Sequence, residues 1–268
     1  MTPVRLGDLF AAACAVLLLT GAAARAQDPA LPTLADAPPG AVRLFVAGSL
    51  RAPVLSIGPL LEKATGRKVV MEVTESRTLQ RKIEAGQPFE AALLTTAVLD
   101  DLTAKGRIVP GSALQVAMVR VGVGVRGDAP KLDVTTPEGL KKAILGARSI
   151  RRFYGVAAST PIIDNLFAKL DLTAATKDRM VELSNEKVVP EEPLPPGQYE
   201  LLINLISAVA PLKTWTYVGA IPEQFQMPVP HAAGLGATGD RAMGQKVLDV
   251  LKSPQFDAAL AASKISRN

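Results

Sequence analysis

The chain has 268 residues, of which 48% are hydrophobic and 21% are charged. This composition is typical of a globular protein with enough apolar material for a core, and it excludes a chain that is disordered throughout. Lysine and arginine number 30 against 25 aspartates and glutamates, so the net charge of +5 gives a mild bias toward anionic partners. Aromatic residues make up only 4% and the basic residues are scattered, and we therefore expect no nucleic-acid partner.

The first 26 residues have the three parts of a secretory signal peptide. A short basic start that contains Arg5 precedes an apolar run over 9–24, and Ala24-Arg25-Ala26 fits the cleavage motif. The apolar run is shorter than the ~20 residues that cross a bilayer. We therefore predict cleavage near Ala26 and a periplasmic protein. The mature chain then has no cysteine, which suits an oxidising compartment.

Strands and helices alternate from residue 42 onward. The preceding proline-rich segment, 27–40, has no hydrophobic period and is predicted to be a disordered lead-in. The periodicity then predicts strands at 42–47, 69–73 and 91–94 and helices at 52–65, 78–85 and 97–105. Short links between such elements indicate a parallel sheet flanked by helices.

A long β-rich stretch, 116–126, follows this first set. It is too long for an ordinary strand, and we expect it to run from one domain into the next. A second α/β set is predicted, with helices at 137–145 and 161–170 and strands at 148–154 and 201–205. The stretch 224–237 is predicted to return to the first domain as a strand, before closing helices at 241–252 and 254–262.

Catalytic motifs are scarce. The single histidine, His231, has no Gly-x-Ser-x-Gly elbow to accompany it, and no phosphate-binding loop is present. With one histidine and no cysteine in the mature chain, we expect no metal site, and we also expect no cofactor. The favoured interpretation is a binding protein and not an enzyme, and a secreted serine hydrolase that uses His231 is the alternative.

Hydroxyl residues follow the predicted strands. In open parallel sheets, ligands bind beyond the carboxyl ends of the strands. Four hydroxyl residues follow strands and precede predicted helices, namely Ser49, Ser76, Thr95 and Ser159. Helix starts present free N–H groups that attract anions. Each residue alone is explained as a helix cap, but their recurrence predicts a shared anion-binding cleft.

At these residues the chain resembles the type II periplasmic solute-binding proteins of ABC transporters, and among them the molybdate-binding family. The resemblance spans Val42 to Ser266, and its matching stretches are 46–50, 60–66, 76–88 and 247–260. It implies two doubly wound α/β lobes that are joined by two crossing strands. Lobe 1 would comprise 41–119 plus 224–268, and lobe 2 would comprise 120–223.

The resemblance also implies a function and a site. It implies a monomer that clamps a small anion between its lobes and delivers it to an ABC permease in the inner membrane. A ligand-sensing lobe without a permease is a further alternative. The implied contacts are the hydroxyls of Ser49 and Ser76, the backbone at Thr95 and near Ala157 with Ser159 close by, and Asn204, where the molybdate binders have a tyrosine.

Two charged residues depart from the family pattern, because Glu75 and Arg77 stand where the family has small residues. A buried carboxylate that faces a dianion would cancel several favourable contacts. Either Glu75 points away, pairing with Arg77, or the ligand is not a tetrahedral dianion. If Arg77 faces the cleft, an organic carboxylate is favoured because a guanidinium binds it with two hydrogen bonds. The expected ligand is therefore a molybdate-like oxyanion or a small organic anion.

Overall fold

The computed structural model describes residues 33–153, 158–183 and 190–267. The predicted signal peptide and Ala157 lie outside these residues. The strands are β1 (Val42–Ala47), β2 (Val69–Thr74), β3 (Ala91–Thr95), β4 (Leu114–Val119), β5 (Val121–Gly127), β6 (Ser149–Phe153), β7 (Met180–Leu183), β8 (Tyr199–Leu205), β9 (Thr216–Ala220) and β10 (Val229–Leu235).

The helices pack on both faces of the sheets. They are α1 (Arg51–Ser56), α2 (Gly58–Thr65), α3 (Ser76–Glu84), α4 (Thr96–Ala104), α5 (Pro137–Gly146), α6 (Thr160–Lys169), α7 (Thr173–Thr176), α8 (Ile206–Val209), α9 (Arg241–Leu251) and α10 (Pro254–Ala262). No helix in the described part of the chain combines the length and apolar character that a bilayer crossing requires.

The strands form two five-stranded sheets, which confirms the predicted α/β fold with two lobes. The first sheet has the order β2-β1-β3-β10-β4, and the second has the order β7-β6-β8-β5-β9. In the first sheet β1 is parallel to β2 and β3, whereas β10 is antiparallel to β3 and β4. In the second, β6 is parallel to β7 and β8, whereas β5 is antiparallel to β8 and β9.

Two adjacent segments connect the sheets. Only Arg120 separates β4 from β5, and the return runs from the end of β9 to the start of β10. The side chain of Gln226 joins the two segments, since its Nε2 donates to the carbonyl of Val121 at 2.8 Å and its Oε1 accepts the Val121 N–H at 3.0 Å. Arg120 also forms an ion pair with Glu223. The two connections are therefore bonded to each other where the chain changes sheets.

The lead-in differs from its prediction where the structure describes it. Leu34–Asp36 form a 3-10 helix, and Leu34 is buried. The Leu34 N–H donates to Glu72 Oε2 at 2.9 Å, and Glu72 is also paired with Lys82. The expectation of disorder was wrong for these residues, because one apolar side chain and one buried carboxylate anchor the segment to β2.

Two strands escaped the sequence analysis, and the returning strand is shorter than predicted. Both β7 and β9 are edge strands of the second sheet, and their residues are at most half-buried. The other strands were predicted from continuous apolar runs. An edge strand buries too few side chains to require such a run. The predicted strand 224–237 begins only at Val229, because a 3-10 helix occupies Glu223–Phe225.

A buried ion cluster stabilises the second sheet. The carboxylate of Glu200 on β8 accepts hydrogen bonds from Arg126 Nε at 2.7 Å and from Arg151 Nε at 3.0 Å. All three side chains are at most 10% exposed. The Arg126 guanidinium also lies over the ring of Trp215, 5.7 Å from its centroid. One carboxylate therefore holds two buried cations.

We expect Glu200→Gln to destabilise the protein by about 3–5 kcal/mol, because removal of one partner leaves buried charges uncompensated. Chemical denaturation monitored by circular dichroism measures the free energy of unfolding. The matched control is Asp249→Asn, which removes an exposed pair with Lys252 and is expected to change stability too little to resolve. Equal effects of the two substitutions would contradict the prediction.

Candidate functional site

The first sheet brings three of the predicted site residues to one edge. In the register of the sheet, Ala47 at the end of β1 lies beside Thr74 at the end of β2. Ser49 follows β1 in a 3-10 helix, Gly48–Leu50, and Ser76 is the first residue of α3. Thr95 ends β3, and its N–H donates to Ser76 Oγ at 3.1 Å. The lobe 1 side of the predicted site is therefore contiguous.

Two of the predicted hydroxyl residues occupy N-cap positions without capping their helices. Neither Thr95 nor Ser159 makes a side-chain cap bond to its helix. Elsewhere the chain does cap helices with hydroxyls, since Ser253 accepts the Phe256 N–H at the start of α10. The capping interpretation, which is the ordinary explanation for such residues, is therefore excluded for Thr95 and Ser159.

His231 adjoins this group from the neighbouring strand. It lies on β10 directly opposite Thr95 and has no exposed surface. Its Nε2 is 2.6 Å from Ser49 Oγ, and its Nδ1 is 3.0 Å from the carbonyl oxygen of Val229. The sequence analysis named His231 only for the hydrolase alternative and did not pair it with Ser49. Their separation of 182 positions left no local signal.

The direction of both hydrogen bonds follows from their partners. A carbonyl oxygen only accepts, so Nδ1 carries the hydrogen that is donated to Val229. Burial lowers the pKa of His231 to about 4, against an opposing contribution from the Val229 hydrogen bond. The ring is thus neutral near pH 7, its Nε2 is an acceptor, and the Ser49 hydroxyl donates to it.

This Ser–His pair lacks the third member of a hydrolytic triad. In such triads a buried carboxylate orients the histidine and stabilises the imidazolium that forms when the serine loses its proton. Here the Nδ1 partner is the neutral carbonyl of Val229, and no charged group in the described part of the chain is a cause of the shift in the His231 pKa. A positive charge on this buried ring would be uncompensated. The geometry therefore argues against the hydrolase alternative.

Ser76 is oriented as a donor. Its Oγ accepts the Thr95 N–H, so its own hydroxyl hydrogen is left to donate to a ligand. The Thr95 N–H, which was predicted to contact the ligand, bonds Ser76 in this structure. The two residues together present one oriented O–H group at the edge of the first sheet.

The second sheet presents Asn204 in a comparable way. Asn204 Oδ1 accepts hydrogen bonds from Ser159 Oγ and from the Leu205 N–H, both at 2.8 Å. Its amide hydrogens take no part in these two bonds. Ser159 has no exposed surface. The Ser159 hydroxyl orients the Asn204 amide. Of these two side chains, Asn204 has the N–H hydrogens that can still be donated.

Two further hydroxyl residues near the site were not identified from the sequence. Within the described residues, the Oγ atoms of Thr96 and Ser207 are buried without a hydrogen-bond partner, which is uncommon in proteins. Ser207 belongs to α8, which packs against the 3-10 helix that carries Ser49. The position of Ser207 after a strand could have identified it from the sequence. Ser207 comes two residues after the end of β8, as Ser49 and Ser76 do after β1 and β2.

Glu75 and Arg77, the two charged residues beside Ser76, lie in different environments. The Glu75 carboxylate accepts the hydroxyl of its neighbour Thr74 at 2.8 Å. Arg77 is exposed on the first turn of α3. Glu75 therefore turns back toward the end of β2.

Two α/β lobes, joined by adjacent crossings and carrying polar groups at their strand ends, are the architecture of a two-lobe solute-binding protein. The profile of the family described as bacterial extracellular solute-binding protein matches residues 42–263, and the chain belongs to this family.

Individual relatives extend this similarity. The chain is 29% identical over 233 residues to the molybdate-binding protein ModA of Azotobacter vinelandii, covering 82% of this chain and 88% of the relative. It is 23% identical over 205 residues to an aconitate isomerase of a Pseudomonas species, covering 73% and 75%. The solved periplasmic molybdate-binding protein of Azotobacter vinelandii superposes with a TM-score of 0.66 at 17% identity, covering 84% of this chain and 98% of that one. That structural match confirms the fold inferred from the sequence.

The buried, neutral His231 predicts acid sensitivity. Because its folded pKa of about 4 lies below the unfolded value of 6.5, the unfolded state binds more protons between these values. Stability is therefore complete above about pH 6.5 and falls by about 3 kcal/mol as the pH drops toward 4. Denaturation at a series of pH values measures this loss, and subtraction of the same series for His231→Phe isolates the histidine. Identical pH profiles for the two proteins would refute the assignment.

Proposed function

We propose that this protein captures a small anion outside the cytoplasm and delivers it to an ABC importer. The observation that carries the proposal is the linked set at the edge of the first sheet, in which Thr95 holds Ser76 and His231 holds Ser49. In this set the polar side chains are bonded to one another across the sheet edge, and Thr95 does not cap its helix. Catalysis is not needed to explain it.

The candidate ligand contacts are neutral donors. They are the Ser76 hydroxyl, the Asn204 amide and the buried hydroxyls of Thr96 and Ser207, and we propose that all four face the ligand. A hydrogen bond to a charged group contributes about 1.5–3 kcal/mol. Micromolar capture requires about 8 kcal/mol, so four such bonds suffice where the groups are already oriented. Ser159 and Thr95 act by orienting their neighbours.

The class of ligand is proposed from the same groups and from the relatives. One relative is named for aconitate, an organic anion, and the other for molybdate, an oxyanion. Neutral donors suit either kind. The orientation of Glu75 toward Thr74 supports an anion, because the carboxylate then does not face the donors. We propose a small oxyanion or organic anion, with Arg77 outside the set that contacts it.

Closure of the lobes over the ligand would use the two crossing segments. Gln226 and the Arg120–Glu223 pair bond these segments to one another, so that they would bend as a unit. Hinge closure of this kind excludes water from the bound ligand. We infer that the protein works as a monomer, with one site between the lobes of one chain.

Anion binding is expected to raise the melting temperature, because a ligand that binds only the folded state stabilises it by mass action. A panel of oxyanions and carboxylates, read by thermal shift and then by isothermal titration, identifies the ligand. Ser76→Ala and Asn204→Ala are each expected to weaken binding about tenfold or more. The control is Ser56→Ala, whose hydroxyl bonds the Pro53 carbonyl at the end of α1. Equal affinity in all variants, or no binding to any anion, would contradict the proposal.

Export is expected to remove the first 26 residues. Mass spectrometry of the protein recovered from the periplasm of an expressing bacterium should give an N-terminus near Gln27. The matched control is Ala26→Arg, because the cleavage motif requires small residues, and this variant should retain its leader. Recovery of both proteins in the cytoplasm with Met1 intact would refute the predicted localisation.

A further inference from the structure

The hydrogen bond between Ser49 and His231 determines what Ser49 can offer a ligand. Its hydroxyl hydrogen is donated to His231 Nε2, 2.6 Å away, because Nδ1 already donates to the Val229 carbonyl. A serine hydroxyl has one hydrogen and two acceptor lone pairs. With the hydrogen used, Ser49 presents only lone pairs to the cleft. The sequence analysis expected the opposite, a Ser49 that donates to an anion.

The orientation of Ser49 is difficult to reverse. Turning its hydroxyl toward a ligand would leave the Nε2 of a fully buried ring without a partner, and such unmade bonds are costly. The other route is to protonate Nε2, which would place a charge in an apolar environment. On the two strands beside His231, the residues that pair with it are Thr95 and Ala117, and neither side chain ionises. Among the described residues, burial and the Val229 hydrogen bond are the causes that shift its pKa, and neither involves a charged group.

The charged residues near this edge have partners or are exposed. Glu75 accepts the hydroxyl of Thr74, and Arg120 is paired with Glu223. Arg77 is exposed. Arg51, which begins α1 after the 3-10 helix of Ser49, is also exposed. His231 is therefore neutral in this structure, and Ser49 is an acceptor.

We propose that the cleft selects an anion that also carries a hydroxyl hydrogen, and that this hydrogen is donated to Ser49 Oγ. The bound chain of donors would run from the ligand O–H to Ser49, from Ser49 to His231, and from His231 to Val229. Ser76 and Asn204 would then donate to the ligand's anionic oxygens. The inference rests on the proposed function and deepens it, since it separates hydrogen-bearing anions from fully deprotonated ones.

Two ligand sources share this chemistry, and matched pairs distinguish them. Phosphate keeps at least one hydrogen near neutral pH, whereas sulfate of the same shape has none. Malate has a hydroxyl group that succinate lacks. Isothermal titration of the mature protein with all four should show that the hydrogen-bearing member of at least one pair binds about tenfold or more tightly than its partner. The pair that shows the preference tells whether the hydrogen belongs to a protonated oxyanion or to a hydroxy acid.

The outcomes separate this inference from the proposed function. If neither pair shows this preference, or if the protein takes up neither phosphate nor malate but binds molybdate, the inference is overturned and anion capture stays supported. A protein that binds no anion in the wider panel contradicts the proposed function itself.

The variant that tests the role of His231 is His231→Phe, a flat ring without an acceptor. It frees the Ser49 hydroxyl to donate, so the preference for the hydrogen-bearing anion should fall about tenfold or more. Ser49→Ala should abolish the preference without improving the binding of sulfate or succinate. Ser56→Ala should retain it. An unchanged preference in His231→Phe would overturn the inference.

A second measurement does not depend on the folding of a variant. His231 is the only histidine in the chain, so nitrogen NMR of the imidazole is assigned without ambiguity. In the complex with the preferred anion, Nδ1 should carry the hydrogen and Nε2 should remain an acceptor. An imidazolium in the complex at pH 7 would show that Ser49 has been released to donate, and it would overturn the proposal.

Discussion

The buried hydrogen bond from Ser49 to neutral His231 is the constraint on which the rest of the site depends. It joins β10, the returning strand, to the turn that follows β1, and it does so with no exposed surface on the imidazole. Because the Val229 carbonyl determines which nitrogen of the neutral ring carries the hydrogen, it also determines the direction of the bond. A hydroxyl that looks like a donor in the sequence is thereby made an acceptor.

The same arrangement, one group holding another that presents polar atoms, occurs three times with different results. Thr95 holds Ser76 in lobe 1, and Ser159 holds Asn204 in lobe 2. These two supports leave donors to the ligand, whereas His231 leaves Ser49 with lone pairs. The site is therefore not a uniform ring of donors. An anion with one hydrogen matches this mixture without a cationic side chain within the site.

Most of the fold could be predicted because burial leaves a periodic signal. The strand bounds of β1 agree with the prediction, and the β-rich stretch around Arg120 was recognised as a passage between domains. Edge strands such as β9 gave no such signal because they bury little. The lead-in around Leu34 was misread because a single apolar residue, anchored through its N–H, has no period.

The site was predictable to the extent that strand ends are predictable. Ser49, Ser76 and Thr95 were named because each follows a strand, and the parallel order of β2, β1 and β3 places them at one edge. What the sequence could not show is which partner each polar group has already taken. These partners are residues far apart in the chain. A ligand binds the donors and acceptors that they leave unused. The difference between a serine that donates and one that accepts lies entirely in His231, so in this family the chemistry of a strand-end hydroxyl has to be judged from the buried residue behind it.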